Sequence, residues 1–228
     1  MMHFDWAFTL QILPLLARAA LTTIEATVIG YAFALVAGLL LALLRRSRRR
    51  WISWPVGLFI EFIRSTPLLV QLYFLFFVFP DYGIVLSGMV AGVLGLGIHY
   101  STYTSEVYRA GLESIPRGQW EAATALGFSP LRVYTNVIIP QAVPPVVPAL
   151  GNYLVGMFKD SPLLSAIAVV ELMQRAKIIG SETFRYLEPV TLVGLFFIGL
   201  SLIAAYLIRR AEWRLSLAYR ITRQNPTK

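Results

Sequence analysis

Gln119-Trp120-Glu121-Ala122-Ala123-Thr124-Ala125-Leu126-Gly127, then Phe128 to Asn136, then Val137-Ile138-Ile139-Pro140, is the stretch on which the reading of this 228-residue chain turns. It separates two long apolar segments of a chain that is apolar over most of its length. A connection between membrane helices need only be polar, and this one has a helical logic of its own. Pro116 ends the segment that leads into it. Trp120 to Leu126 favours helix, with alanine at three of its seven positions. Gly127 suits the left-handed residue that closes a helix. Ser129-Pro130 reads as an N-cap followed by proline at the first helical position. The second helix is expected to run to Ile139 and to stop at Pro140. Two short helices around a glycine hinge make a compact knob. On local chemistry alone it fits an ordinary helical hairpin and a surface shaped for another protein equally well.

Around this loop the composition is that of a membrane protein. Hydrophobic residues make up 57% and charged residues 14%, and the mean hydropathy is +0.66. A soluble domain carries about a quarter charged residues. With no cysteines, disulfides, thiolate chemistry and Cys-based zinc sites are excluded. The net charge of +8 does not point to nucleic acid, because the basic residues flank apolar runs. Arg45, Arg46, Arg48, Arg49 and Arg50 follow the first, and Arg209, Arg210, Arg214, Arg220, Arg223 and Lys228 follow the last. Such clusters are orientation signals.

Five apolar segments are each long enough to cross about 30 Å of hydrocarbon. They run roughly from Leu21 to Leu44, Val56 to Phe79, Ile84 to Tyr108, Val143 to Val170 with an interruption at Lys159-Asp160, and Val190 to Ile208. The arginine block after the first puts that end in the cytoplasm. The turn Pro80-Asp81-Tyr82-Gly83, which has no basic residue, then falls outside. The loop 111–140 and the C-terminus fall inside, and the N-terminus outside. The stretch from Leu172 to Leu187 falls outside despite Arg175, Lys177 and Arg185. Phe4, Trp6, Phe8, Ile12 and Leu16 suggest an interfacial helix rather than a cleaved leader. The expectation is one all-α membrane domain spanning residues 1–228 with five spans, no internal repeat and no linker. Small residues recur every four positions in the first span (Gly30, Ala34, Gly38, Ala42) and as Ser87, Gly88, Ala91, Gly92 and Gly95 in the third. They predict close helix packing, within the chain or between subunits.

Glu121-Ala122-Ala123, three residues, Gly127, nine residues, then Val137-x-Ile139-Pro140 resembles the EAA loop of ABC importer permeases, with conservative apolar changes at Val137 and Ile139. The likeness extends further. Glu61-Phe62-Ile63-Arg64-Ser65-Thr66-Pro67-Leu68-Leu69-Val70-Gln71-Leu72 is similar to a segment of the polar amino acid importer subfamily. So are Tyr103 to Gly111, Pro148 to Asn152 and Lys159-Asp160-Ser161. Pro162 departs from the subfamily pattern. Tyr103–Gly111 and the Lys-Asp-Ser-Pro-Leu-Leu string also resemble permeases for ectoine and hydroxyectoine. The resemblance implies an importer permease of five spans in the cell inner membrane. In it Glu121, Ala122, Ala123, Gly127 and Pro140 would couple to separate ATPase subunits. A second permease chain, identical or similar, and an extracytoplasmic substrate-binding protein would complete the assembly.

The chain has no means of powering itself. Its lysines are Lys159, Lys177 and Lys228, none after a glycine as a P-loop requires. It carries no G-x-S-x-G elbow either, so an enzyme is a poor fit. No cofactor is expected, ATP being used by the separate subunit. Ionisable groups at bilayer depth are costly and functional by default. Glu61 and Arg64, three apart on one helix face, are expected to pair. Lys159 and Asp160 are adjacent and cannot face each other. With Pro162 close behind, they suggest a broken helix lining a cavity. Gln71, Tyr103 and Asn152 add neutral hydrogen-bonding groups to that expected substrate pathway. His99 is the one histidine within a span and has no second histidine near it. A membrane scaffold that recruits a cytoplasmic partner through the same loop is the alternative from another class. It would not need polar groups deep in the spans.

Overall fold

A computed structural model describes residues 4–224, with side chains as far as Arg214. Arg220, Arg223 and Lys228 therefore lie outside the side chains described. The described residues form helices joined by short turns. α1 (Trp6–Arg45) is one continuous helix of 40 residues. The N-terminal aromatic segment is thus not a separate interfacial helix. Ile12 and Leu16 are buried against Leu172, Ala176, Leu192 and Val193, and Asp5 caps the helix by accepting from the Phe8 amide at 3.1 Å. α2 (Arg50–Arg64) and α3 (Leu68–Tyr73) follow. The chain then passes through a π turn, Phe74–Val78, and a 3₁₀ turn, Phe79–Tyr82. α4 (Gly88–Glu113), α5 (Arg117–Ala125), α6 (Pro130–Arg132), α7 (Ile139–Asp160), α8 (Leu172–Thr183) and α9 (Leu187–Gln224) complete it.

Among the described residues, three stretches are long and apolar enough to span a membrane: Trp6–Arg45, Pro130–Ile167 and Leu187–Arg214. The pair Arg50–Arg64 and Leu68–Tyr82, bent by 103°, can supply a fourth. The expected second span is therefore not straight. α4, the remaining long helix, is too polar to qualify because Ser101, Thr102, Thr104 and Ser105 occupy its middle. All four are buried. Protein rather than lipid surrounds that part of α4, so it need not be apolar.

The small-residue stripe of α1 resolves as packing within the chain. Gly30, Ala34, Gly38 and Ala42 are all buried. A Cβ on Gly38 would collide with Thr104 Oγ1 and lie 2.8 Å from the Ser101 carbonyl. That close approach lets the Thr104 hydroxyl donate to the Ala34 carbonyl at 2.8 Å. Gly30 faces Leu96 and Gly38 faces Thr104, so α1 and α4 run parallel. Gly111 faces Val146 and Gly156 faces Tyr100, so α7 runs antiparallel to α4, and Gly151 packs on Ile208 of α9. The arginine block after α1 and the loop between α4 and α7 thus share one end of the bundle. Asp5, Arg185 and Glu188 meet at the other, where Arg185 Nη2 lies 3.1 Å from both carboxylates.

Candidate functional site

Two prolines break two helices, and both breaks open onto one cluster of side chains. Pro67 has no amide hydrogen, so the Ile63 carbonyl four residues earlier loses its helical donor. Gln71 replaces it, its Nε2 donating to Ile63 O at 2.8 Å and to Thr66 O at 3.1 Å. With that amide nitrogen fixed on carbonyls, Oε1 faces His99 Nδ1 at 3.2 Å. An oxygen can only accept, so Nδ1 carries the imidazole proton. Pro162 repeats the pattern. It orphans the Phe158 carbonyl, which accepts instead from the Ser161 hydroxyl at 2.8 Å. α7 ends at Asp160 and a 3₁₀ turn runs over Ser161–Ile167. The interruption expected after Lys159-Asp160 is present.

Between the breaks stand four rings. His99, Tyr100 and Tyr103 come from α4 and Tyr153 from α7. Tyr103 lies 5.2 Å from His99 and 5.6 Å from Tyr153, centroid to centroid. Tyr100 lies 5.6 Å from His99 and 6.2 Å from Tyr153. Each pair is edge-on or tilted, as ring quadrupoles favour. The Tyr100 hydroxyl donates to Asp160 Oδ2 at 2.7 Å. The Arg64 guanidinium sits 5.2 Å over the Tyr103 ring, within cation–π range. The cluster therefore has a cationic pole from the end of α2, an aromatic floor, and an anionic pole from the end of α7.

The sequence-predicted residues divide around this cluster. Gln71, Tyr103 and Asp160 are in it. Asn152 and Lys159, seven apart, share the exposed neighbouring face of α7. Arg64 belongs to the cluster, but the expected Glu61–Arg64 pair is not formed among the described residues. Arg64 stacks on Tyr103 instead, and Glu61 faces a different cleft beside Arg45 and Arg50. Both lie in the last turn of α2, ahead of the bend, where the Tyr103 ring of α4 offers Arg64 a closer partner. Sequence reasoning missed Tyr100 and Tyr153, and it gave His99 no role. The available signal was spacing: His99, Tyr100 and Tyr103 crowd one turn of α4, and Tyr153 lies seven residues before Asp160.

At the arginine end, the loop builds the expected knob. α5 closes at Gly127, whose φ is +75°. The Gly127 amide donates to Thr124 O at 3.0 Å and the Phe128 amide to Ala123 O at 3.2 Å. These two bonds make a Schellman closure, completed by contact between Phe128 and buried Ala123. Ser129 stands at the N-cap of α6 but makes no capping bond with its side chain. Trp120 packs edge-on against Tyr134, centroids 5.1 Å apart. Glu121, Ala122, Leu126 and Leu131 remain exposed. The second helix does not stop at Pro140. Residues Val133–Ile138 form a π turn, and Pro140 sits in the first turn of α7. The wider turn absorbs the missing amide hydrogen and the ring clash that would end a regular helix, so knob and α7 are one continuous rod.

Comparison with known proteins adds to this geometry. Residues 34–216 match the family described as "Binding-protein-dependent transport system inner membrane component". The chain is 49% identical over 205 residues to a probable amino-acid ABC transporter permease protein, y4tG, of Sinorhizobium fredii, covering 90% of this chain and 89% of the relative. It is 32% identical over 204 residues to the L-cystine transport system permease protein TcyB of Bacillus subtilis, covering 87% of each. Among solved structures, it superposes on the crystal structure of an amino acid ABC transporter with histidines at a TM-score of 0.87. The identity there is 34%, with 93% of this chain and 100% of the other covered.

Proposed function

The chain belongs to the binding-protein-dependent transport system inner membrane component family, and from that premise we propose which solute it passes and how it is driven. Its relatives make it a multi-pass inner-membrane permease of an amino-acid ABC transporter, and not itself an enzyme. The solute is a polar amino acid or a closely related zwitterion. The observation that carries this is the pairing of Arg64 and Asp160 across the ring cluster. A carboxylate suits the guanidinium, an ammonium suits the carboxylate, and the carbon framework of the solute suits the rings between. The relatives quoted are named for amino acids, which favours that class over ectoine. A scaffold would gain nothing from charges held at two helix breaks, so transport is preferred to that alternative.

Coupling runs through the knob. The exposed Glu121-Ala122 surface and Leu126 would dock on an ATPase subunit, with Ala123 holding the knob's own core and Gly127 setting its angle. Because the knob continues into α7 past Pro140, a push on α5 reaches Tyr153 and Asp160 along one rod. A second permease chain would cover the face bearing Asn152 and Lys159. A substrate-binding protein would deliver solute at the Asp5–Arg185–Glu188 end, which this reading places outside, with the C-terminus inside.

Uptake of a panel of labelled amino acids, measured beside complex yield, tests the proposal. Asp160→Asn and Arg64→Gln are each expected to weaken transport by about 10- to 100-fold, the worth of a charge-assisted hydrogen bond, with assembled complex unchanged. Normal uptake in both variants, or losses that only follow protein level, would remove the cluster from the pathway.

A further inference from the structure

A second cleft, at the arginine end and away from the ring cluster, is not used by transport as described above. It has a volume of about 780 Å³ and lies between the end of α1 and one face of α2. Arg45, Arg50, Trp51, Trp54 and Glu61 line it, with Gly57 at its floor. Trp51 and Trp54 are 71% and 68% exposed, although tryptophan is normally mostly covered. Of the five arginines between Arg45 and Arg50, Arg45 alone is partly buried. Its guanidinium lies across Gly57, where any Cβ would collide with Nη1 and come within 3.2 Å of Cζ. A charge that served only to orient the chain would need no such seat. Neither Arg45 nor Arg50 has an ion-pair partner among the described residues. Glu61, the one carboxylate lining the cleft, is in no ion pair either.

We infer that this cleft binds the headgroup of an anionic phospholipid, with Arg45 and Arg50 on its phosphate. Two unpaired arginines call for an anion. The surroundings decide which anion. Leu58 lines the cleft and is half exposed, and Leu44, next to Arg45 in the chain, is exposed too, so its rim is apolar as well as basic. A soluble phosphate would leave that rim uncovered, whereas acyl chains would cover it. Exposed tryptophans beside arginines at the end of a membrane helix fit the level where headgroup meets chain. The site goes beyond the transport reading and does not depend on it.

The test uses the full chain in neutral detergent, titrated with dioleoyl phosphatidylglycerol or dioleoyl phosphatidylcholine, with bound lipid counted by native mass spectrometry. Phosphatidylglycerol is expected to be retained in preference to phosphatidylcholine. Arg45→Gln with Arg50→Gln should weaken its retention by about fivefold per arginine. Gly57→Leu removes no charge but occupies the seat of the Arg45 guanidinium, and should weaken retention at least as much as Arg45→Gln alone. Arg209→Gln with Arg210→Gln removes equal charge from the other basic cluster and should change nothing. An equal loss in that control, no preference between the lipids, or displacement by excess inorganic phosphate would each overturn the assignment. So would disulfide cross-linking of Ser53→Cys between copies with lipid present, which would put a second chain in the cleft. If the double variant does not fold, Arg45→Lys keeps the charge without the fork and should give intermediate retention. Retention equal to that of the unaltered chain would sink the role of Arg45.

Discussion

Replacing Gly127 by valine isolates one requirement of the knob, its left-handed backbone. No atom lies within 4 Å of where a Cβ would sit, so the substitution meets no steric obstacle and its cost is conformational. If the chain keeps φ near +75°, a residue other than glycine costs about 1–2 kcal/mol there. If it abandons that angle, it loses the Gly127 and Phe128 amide bonds to Thr124 and Ala123, at about 1 kcal/mol each. The chain takes the cheaper route, so the penalty is bounded at about 2 kcal/mol by either path. That is too little to unfold the bundle and enough to disorder or tilt α5. Retention of the ATPase subunits on the purified permease should fall about tenfold, since 1.4 kcal/mol is one decade, and uptake with it. Gly127→Asn supplies the control, because asparagine tolerates the left-handed region, and it should stay close to the parent chain. If valine and asparagine are equally defective, the interface rejects side-chain volume and the backbone argument is wrong. If both behave as the parent, the knob does not depend on the Gly127 angle at all.

Three further outcomes are expected. A cysteine at Ser47, in a chain with none of its own, should resist an impermeant thiol reagent applied from outside intact cells, and ready labelling would reverse the topology. Gly38→Val should destabilise the bundle by about 1–3 kcal/mol through overpacking against α4, read as a fall in thermal midpoint in detergent, whereas Gly194→Ala, in open space on α9, should not. Asp5 is held below the ordinary aspartate value of 3.8 by the Phe8 amide and then by Arg185. Because its value is depressed in the fold, its contribution to stability is full above 3.8 and is lost as pH falls through the lower folded value. Asp5→Asn should therefore lower the thermal midpoint at pH 7 and converge with the parent in strong acid, and an unchanged difference across that range would refute the clasp.

The linear sequence determined the features whose causes are local. Helices follow from long apolar runs, the closure of α5 from a glycine, and the break after Asp160 from Pro162, each needing only its own neighbours; the break at Pro67 has as local a cause, yet the run from Val56 to Phe79 reads as a single span. The knob was legible because its alanines, its hinge and its Ser-Pro start are all short-range signals. Its far end was misread for the same reason. Pro140 is a stop by local rule, and only a π turn upstream, held by Val133 and Ile138 in the knob's small core, lets the helix pass through it. The small-residue stripe of α1 announced close packing, but nothing in its spacing named α4 as the partner. The site depended most on tertiary structure. Glu61 and Arg64 satisfy a helical pairing rule, yet Arg64 meets the Tyr103 ring of α4 and Glu61 a separate cleft beside Arg45. Tyr100 and Asp160, sixty positions apart, meet because α7 runs antiparallel to α4 and ends, at Asp160, level with Tyr100. Spacing along a chain fixes which residues share a turn, and the packing of broken helices decides which turns face one another.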